Sequence, residues 1–476
     1  SNVMKHKVII IIYVVVLLMT TMSCKSQKFA GDWSGRIPRG NGSLALVVHL
    51  KQTGNTWQGT MDSPDQQAFG IPLSSVTVVG DSLSIAVQDL LLSYKGKLKN
   101  DSIEGEFRQG RFGTMMSLYR GLDAAKPYRP QTPVPPFPYD VTDVKILHKT
   151  GGFTIAGTLT APKDANKTKG TVILISGSGL QDRDETIFGH KPFAVLADQL
   201  TRHGYAVLRC DDRGFGESAG DASQATTDTL AGDIESELAY LRQHYPRLTD
   251  KVFLIGHSEG GIIAPMVARR VGGIAGLVLV GAPSVKGAEI LLSQNAAMDE
   301  FATGQSQSQA KRAALEELIR QATAPGDTSD IRTRIESYCR SNASVLFPQA
   351  MTDEMKEQGI KLMTEQLSNP WMRHFLTYDP APLLDVTSGE GSHPLPPTMA
   401  IYGGRDKQVL HEVNMSKMKS LLGIETGNTA NKVVYLPEVN HIMQPAEFGT
   451  PDEYAFLNRT VDTELMEIVC SFLDSL

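Results

Sequence analysis

The sequence predicts an α/β fold, a mostly parallel sheet flanked by helices with a helical cap insertion, preceded by a small all-β domain. Three patterns in the 476 residues indicate this arrangement. Short alternating apolar stretches fill residues 25–121, and buried strands alternate with helices over residues 141–476. That alternation is interrupted at about residues 284–388. Strands joined through helices form right-handed crossovers, which produce a parallel sheet.

Composition excludes several classes of protein. Hydrophobic residues make up 41% of the chain and charged residues 21%, which is typical of a globular protein. The 46 basic and 52 acidic side chains give a net charge of -6 without a basic stripe, so we expect no nucleic-acid partner. No CxxC or HExxH motif indicates a metal site, and the few cysteines are too scattered for a disulfide framework. They are Cys24, Cys210, Cys339 and Cys470.

Residues 1–24 have the layout of an export signal. Lys5 and Lys7 precede the apolar run Val8–Met19, and Cys24 follows it. The run is shorter than the about 20 residues that a membrane span requires. The segment resembles a bacterial lipoprotein signal, in which the cysteine carries the lipid, with Thr21 where that pattern usually has leucine. We therefore expect export to the periplasm or cell envelope. Membrane attachment through a lipid on Cys24 and plain secretion both stay open.

Residues 25–121 have the pattern of a small all-β sandwich or barrel. Two-residue turn sequences separate its apolar stretches and predict hairpins at Gly54-Asn55, Gly80-Asp81 and Asn100-Asp101. No catalytic constellation is visible there, and we expect its aromatic residues to be core residues rather than ligand contacts. These are Trp33, Trp57 and Phe69. The six prolines between residues 122 and 140 then predict an extended linker between two domains.

The remaining residues, 141–476, predict one α/β domain. Continuous apolar runs, typical of strands buried on both faces, alternate with helical patterns. The predicted strands are Phe153–Leu159, Thr171–Ile175, Tyr205–Leu208, Val252–Ile255, Gly276–Val280, Thr398–Tyr402 and Lys432–Leu436. The polar stretch at about 284–388 contains no convincing strand and predicts a helical cap, and a final helix is predicted from Tyr454 onward.

Two serines lie in GxSxG strings, and their surroundings distinguish them. Ser258 follows a predicted buried strand and opens a predicted helix, whereas Ser218 lies in a loop with no helix directly after it. A nucleophile at a sharp strand-to-helix turn needs small neighbours, which Gly256, Gly260 and Gly261 supply. The pattern therefore predicts Ser258 as the nucleophile.

A dinucleotide cofactor is not expected. The spacing Gly214-x-Gly216-x-x-Ala219 partly matches a dinucleotide-binding fingerprint. That fingerprint requires a helix that opens at the glycines, and the sequence predicts none in this stretch. With no metal motif either, we expect the protein to work without a cofactor.

A serine nucleophile needs a base, and the base needs an acid that orients it. Asp406 follows the predicted strand Thr398–Tyr402, at a strand end where catalytic groups collect. His441 follows the next predicted strand after a short loop. Asp379 and Asp385 are weaker candidates for the acid because they fall in the insertion. The order serine, acid, histidine then gives the triad Ser258, Asp406 and His441.

A Gly-rich turn after a buried strand predicts the oxyanion hole. Ser176–Gly179 follows Thr171–Ile175, and its small residues let backbone N–H groups approach a substrate carbonyl. We expect the amide of Ser178 to act together with that of Glu259, the residue after the nucleophile. The alternative is an ordinary Gly-rich turn with no binding role.

Together these motifs resemble the α/β-hydrolase superfamily, and most closely its bacterial esterase and serine-aminopeptidase-like branch. The resemblance covers roughly residues 140–476. The motifs that carry it are Ser176–Gly179 with Asp182–Asp184, Asp211–Ser218, Gly256–Gly261, Asn369–Trp371 and Tyr378–Pro380. The chain departs from that branch at Ser176, where the branch usually has histidine. The resemblance implies an α/β-hydrolase fold and a serine hydrolase mechanism.

Carboxylic ester hydrolysis through an acyl-enzyme is the leading functional prediction, with a small acyl ester as substrate. An aminopeptidase or amidase on the same triad is one alternative, and it would need an acidic cluster in the cap to hold a substrate ammonium group. The candidate acids are Asp299, Glu300, Glu316, Glu317, Asp353 and Glu354. A surface binding protein whose hydrolase activity is secondary is another alternative, based on the β domain.

Overall fold

The computed structural model describes residues 26–476, and these divide into two units. The first contains the described residues up to Pro130, together with Ile187–Gly189 and Asp452–Asn458. The second contains Gln131–Thr186, His190–Pro451 and Arg459–Leu476. The predicted export signal and Cys24 lie outside the described residues. Of the helices described, none has the length and apolar character needed to cross a membrane.

The first unit is a nine-stranded antiparallel half-barrel. Its strands are β1 (Gly31–Arg39), β2 (Gly42–Thr53), β3 (Thr56–Ser63), β4 (Ala68–Pro72), β5 (Ser75–Val79), β6 (Ser82–Val87), β7 (Leu92–Lys99), β8 (Ser102–Gln109) and β9 (Phe112–Arg120). They lie in the order β4-β3-β2-β1-β9-β8-β7-β6-β5, so β1 joins the two runs of hairpins by pairing with β9. The three predicted two-residue turns are confirmed, because β2–β3, β5–β6 and β7–β8 are joined at those positions.

Alternating side chains fill the core of this half-barrel. Trp33, Tyr94 and Phe107 are fully or almost fully buried there, and Trp57 packs against them while partly exposed. The prediction of a buried Phe69 is wrong, because 65% of that side chain is exposed. Phe69 lies on β4, an edge strand whose residues are mostly exposed, so an aromatic residue there has no second layer to pack against.

The predicted final helix begins later than the sequence pattern indicates. It runs over Thr463–Asp474 rather than from Tyr454, and Asp462 caps it by accepting the N–H of Leu465 at 3.0 Å. Residues 452–458 belong to the first unit instead. Phe456 is buried in the half-barrel core and its carbonyl accepts the N–H of Ser43 at 2.8 Å. This pairing holds the segment in a non-helical conformation.

The second unit contains an eight-stranded mixed sheet. Its strands are β10 (Asp140–Leu147), β11 (Thr154–Ala161), β12 (Thr171–Ile175), β13 (Ala206–Cys210), β14 (Val252–His257), β15 (Gly276–Val280), β16 (Thr398–Gly403) and β17 (Lys432–Leu436). The order is β10-β11-β13-β12-β14-β15-β16-β17, and the six strands from β12 to β17 are parallel. β10 and β11 add an antiparallel edge. The carboxyl ends of the parallel strands share one edge of the sheet, where ligands bind in open α/β folds.

The described part of the second unit contains twelve helices, some on the faces of the sheet and others in a cap. They are α1 (Pro192–Arg202), α2 (Thr227–His244), α3 (Gly260–Val271), α4 (Gly287–Thr303), α5 (Gln309–Thr323), α6 (Thr328–Ser341), α7 (Ala343–Leu346), α8 (Asp353–Ser368), α9 (Pro370–Thr377), α10 (Ala381–Leu384), α11 (His411–Leu421) and α12 (Thr463–Asp474). Apolar residues of α2 and α3 pack on one face, and those of α1 and α12 pack on the other. α4–α10 form the cap between β15 and β16, with a separate apolar core around α5 and α6.

Candidate active site

The backbone makes a sharp turn at Ser258, between β14 and α3. Ser258 has φ +55°, a left-handed conformation that is uncommon for a residue with a side chain. The N–H of Ser258 donates to the carbonyl of Val280 at the end of β15, at 2.8 Å. Backbone strain of this kind concentrates at functional sites, and it is the geometry of a strand-to-helix nucleophile turn.

Three glycines make this turn possible because no side chain fits at their positions. A Cβ atom on Gly256 would overlap the carbonyl group of Gly260, and one on Gly260 would overlap the carbonyl oxygen of Ile175. A Cβ atom on Gly261 would overlap the side chain of Ala282. The prediction that these glycines leave room for the turn is confirmed.

His441 and Asp406 form a buried hydrogen-bonded pair. The distance between His441 Nδ1 and Asp406 Oδ2 is 2.8 Å, and less than a tenth of either side chain is exposed. The other carboxylate oxygen, Oδ1, accepts the N–H groups of Gln408 and Val409, both at 2.8 Å. Since the carboxylate accepts, Nδ1 donates, and this leaves Nε2 of His441 as the ring nitrogen that can take a proton.

Backbone neighbours bring this pair to the nucleophile turn. A Cβ atom on Gly281, which directly follows β15, would lie 3.3 Å from both Asp406 Oδ2 and His441 Nδ1. The residue before it, Val280, accepts the N–H of Ser258. Ser258, Asp406 and His441 therefore lie at the same edge of the sheet, after the carboxyl ends of β14, β16 and β17. Asp379 and Asp385 instead accept N–H groups two residues further along their own chain segments.

The predicted oxyanion turn lies directly beside Ser258. A Cβ atom on Gly177 would be 3.1 Å from the Cβ atom of Ser258 and 3.3 Å from the carbonyl oxygen of His257. Gly177 is buried, whereas Ser178 is exposed at the open side of the turn. Small residues at this turn thus allow backbone atoms to approach Ser258.

Two carboxylates that the sequence analysis missed hold this turn in place. Glu185 Oε1 accepts the N–H of Gly177 at 2.7 Å. Asp212 accepts the hydroxyl of Ser176 and the N–H of Gln181, both at 2.8 Å. Burial raises the pKa of Asp212 to about 8 despite these hydrogen bonds, and the nearby carboxylates of Glu185 and Glu259 raise it further. The signal for Glu185 was its place in a run of four charged residues that begins three positions after the Gly-rich turn.

Glu185 also binds His257, the residue before the nucleophile. Its carboxylate lies 2.9 Å from His257 Nδ1, and His257 Nε2 donates to the carbonyl of His441 at 2.7 Å. Burial alone would lower the pKa of His257, but the charge and hydrogen bond of Glu185 outweigh it, so the pKa is raised. The buried pair of Glu185 and His257 thus connects the Gly-rich turn, the turn at Ser258 and the backbone of His441.

Ser218, the alternative nucleophile, is a structural residue in this fold. Its hydroxyl donates to the carbonyl of Asp211 at 2.8 Å and accepts the N–H of Ala156 at 2.9 Å. The side chain is almost fully buried, and its hydroxyl joins the loop after β13 to β11. Within residues 26–476, no group of three or more metal-binding side chains is present.

Comparison with known proteins finds a matching family profile and a curated relative. A family profile described as "Serine aminopeptidase, S33" matches residues 189–338. The curated protein "Esterase EstD" of Thermotoga maritima is 24% identical over 301 residues, which cover 63% of this chain. The match spans 61% of that relative's length.

Solved esterase structures also resemble this chain. An esterase of Pyrococcus furiosus, Pf2001, is 16% identical with a TM-score of 0.44, covering 74% of this chain and 98% of that one. An esterase of Thermogutta terrifontis is 19% identical with a TM-score of 0.39, covering 70% and 98%. The profile match and the resemblance to EstD support an α/β-hydrolase, esterase-like family, and the sheet described above has the architecture of the α/β-hydrolase fold.

Proposed function

We propose that the protein is a serine hydrolase that cleaves carboxylic esters through an acyl-enzyme on Ser258. The observation that carries this proposal is the buried 2.8 Å hydrogen bond between His441 and Asp406 beside the strained turn of Ser258. A nucleophile, a base and an orienting acid in this chain order are the elements of a serine hydrolase triad. The amides of Ser178 and Glu259 complete the proposal as the oxyanion hole.

In the acylation step, Nε2 of His441 takes the hydroxyl proton of Ser258 as Oγ attacks the ester carbonyl carbon. The carbonyl electron pair moves to oxygen, and the two backbone N–H groups stabilise the resulting oxyanion. When the carbonyl re-forms, the bond to the alcohol oxygen breaks and that oxygen takes the proton from His441. The acyl group remains as an ester on Ser258, while Asp406 stabilises the transient imidazolium.

In the deacylation step, a water molecule replaces the alcohol. His441 takes a proton from this water as its oxygen attacks the acyl carbon, and the oxyanion forms at the same two amides. Its collapse breaks the bond to Ser258 Oγ, which recovers its proton from His441. The products are a carboxylic acid and the free enzyme, so the cycle consumes one water for each ester and needs no cofactor.

Ion pairs in the cap support an ester rather than a peptide substrate, because they neutralise three of the six candidate acids. An aminopeptidase needs uncompensated acids to bind a substrate ammonium group, and several candidate acids already have cationic partners. Asp299 pairs with Lys311 at 2.7 Å, Glu316 pairs with Arg312 at 2.8 Å, and Glu317 pairs with Arg320 at 2.6 Å. Asp353 and Glu354 are exposed in the first turn of α8. The description of EstD as an esterase supports the same choice.

A substrate panel tests the proposal. The chain without residues 1–24 is assayed with p-nitrophenyl esters of increasing acyl length and with aminoacyl arylamides. We expect turnover of esters and little turnover of arylamides. Ser258→Ala should remove nearly all hydrolysis, whereas Ser218→Ala should keep most of it if the variant folds, as circular dichroism would verify. Exclusive arylamide turnover would replace the ester proposal with the aminopeptidase alternative.

We further propose that the protein is exported and anchored through Cys24. Support comes from the basic and apolar layout of residues 1–24 alone. Expressed in a Gram-negative host, the full chain should fractionate with membranes, and Cys24→Ala should release it or block its processing. Soluble protein with an intact N-terminus would contradict this proposal.

A further inference from the structure

Glu259 has a buried side chain with partners from three parts of the second unit. Only 1% of the residue is exposed. Its Oε1 atom accepts the hydroxyl of Thr227, the first residue of α2, at 2.6 Å. The same atom accepts the indole N–H of Trp371, on cap helix α9, at 2.7 Å. The residue whose amide we assign to the oxyanion hole is therefore fixed to the core and to the cap by its carboxylate.

The same carboxylate also faces the oxyanion turn. The hydroxyl of Ser178 favours the charged form of Glu259, although Oε2 completes no hydrogen bond and is buried. Burial is the dominant effect and raises the pKa of Glu259, while Thr227, Trp371 and Ser178 oppose that shift. The Glu259 side chain thus extends from one residue of the proposed oxyanion hole to the other, Ser178.

Trp371 is itself held rigidly within the cap. Its N–H in the first turn of α9 is capped by Asn369 Oδ1 at 2.9 Å. Its ring stacks on Phe375, one turn along the helix, with centroids 5.1 Å apart and planes inclined by 14°. A displacement of α9 therefore displaces the indole N–H and cannot be absorbed by free rotation of the tryptophan side chain.

We propose that the Glu259 carboxylate is a positioning group that couples cap helix α9 to the oxyanion hole, so that the placement of the cap sets the rate of acylation. This inference rests on the proposed function. A side chain fixed at Thr227 and Trp371 restricts rotation of the Glu259 backbone, and with it the direction of the amide. A misplacement of about 1 Å in a reacting geometry can cost on the order of 100-fold in rate.

Two conservative variants test the coupling. Trp371→Phe removes the indole N–H and keeps an aromatic ring against Phe375. Glu259→Met keeps the length of the side chain and the backbone amide but removes the oxygen that accepts the bonds from Thr227 and Trp371. We expect each variant to lower kcat about 10-fold to 100-fold, with a smaller change in KM. The double variant should be no slower than the slower single variant, because both substitutions remove the hydrogen bond between Trp371 and Glu259. Trp57→Phe, in the half-barrel, is the matched control and should leave kcat unchanged.

Rates are expressed per active site, counted by titration with a reactive phosphonate, so that a loss of folded protein does not imitate a loss of kcat. The fluorescence of Trp371, obtained as the difference between the parent and Trp371→Phe, should titrate with pH in the parent and not in Glu259→Met. A parent-like kcat per site in both variants would overturn the coupling, as would identical titrations. If the parent hydrolyses no ester, the proposed function fails instead, and the fluorescence titration still tests the contact between Glu259 and Trp371.

Discussion

Replacing Asp406 by asparagine should abolish most of the activity while the fold persists. Oδ1 of Asp406 accepts two backbone N–H groups, from Gln408 and Val409, at 2.8 Å each. An asparagine must place its only oxygen there, because its NH₂ group cannot accept these bonds. The NH₂ group then faces Nδ1 of His441 and donates to it. The histidine is forced to carry its proton on Nε2, where it cannot take a proton from Ser258.

The size of the effect follows from this change of tautomer. The corresponding substitution in serine proteases lowers kcat by about 10⁴-fold. That factor corresponds to about 5.5 kcal/mol of lost transition-state stabilisation. The two backbone hydrogen bonds remain, so we expect the melting temperature of Asp406→Asn to stay close to that of the parent. Initial rates with a p-nitrophenyl ester measure kcat, and thermal unfolding followed by circular dichroism measures stability.

Asp385→Asn is the matched control for this experiment. Asp385 also accepts a backbone N–H two residues along the chain, from Thr387 at 2.8 Å, but it lies in the cap segment away from His441. The control should keep the activity of the parent. An Asp406→Asn enzyme as fast as the parent, or a large loss in Asp385→Asn, would refute the assignment of the acid.

Three further outcomes are expected. Because burial raises the pKa of Asp212 to about 8, its contribution to stability is present below its ordinary pKa near 4 and is lost as pH rises towards 8. Between about pH 4 and pH 8 the melting temperature of Asp212→Asn should therefore fall less than that of the parent. Parallel curves of melting temperature against pH would contradict this. Gly256→Ala should destabilise the fold by about 1–3 kcal/mol or more in urea unfolding, because its Cβ atom would overlap Gly260, whereas Gly389→Ala, with open space at that position, should be neutral. EDTA should leave ester hydrolysis unchanged, and a loss that Zn²⁺ restores would overturn the metal-free mechanism.

The local sequence pattern was sufficient to predict the strands that position the site. Thr171–Ile175 and Lys432–Leu436 have the predicted bounds, since continuous apolar or β-branched runs have few other stable arrangements. β10 was not predicted because six of its eight residues are exposed, which leaves little apolar periodicity to detect. The final helix was placed too early because residues 452–458 make their contacts with the half-barrel, far away in sequence.

The side chains around the site show that a local sequence pattern predicts single residues but not contacts between residues far apart in the chain. The strand-to-helix pattern at Ser258 is local, so sequence alone indicated that residue. Glu185 and His257 are 72 residues apart, and Glu259 and Trp371 are 112 residues apart. Only the folded topology brings such pairs together, so no spacing rule indicated them. The motif segment Asn369–Trp371 was recognised through a resemblance, and its contact with Glu259 emerged from the structure.

Labelling with a fluorophosphonate tests the central claim, that Ser258 is the nucleophile of a working triad, most directly. The probe forms a covalent adduct with an activated serine, and peptide mass spectrometry then locates it. We predict one adduct per chain on Ser258 in the parent, the same adduct in Ser218→Ala, and none in Ser258→Ala. An adduct on Ser218, or a Ser258→Ala protein that still labels and hydrolyses esters, would contradict the account.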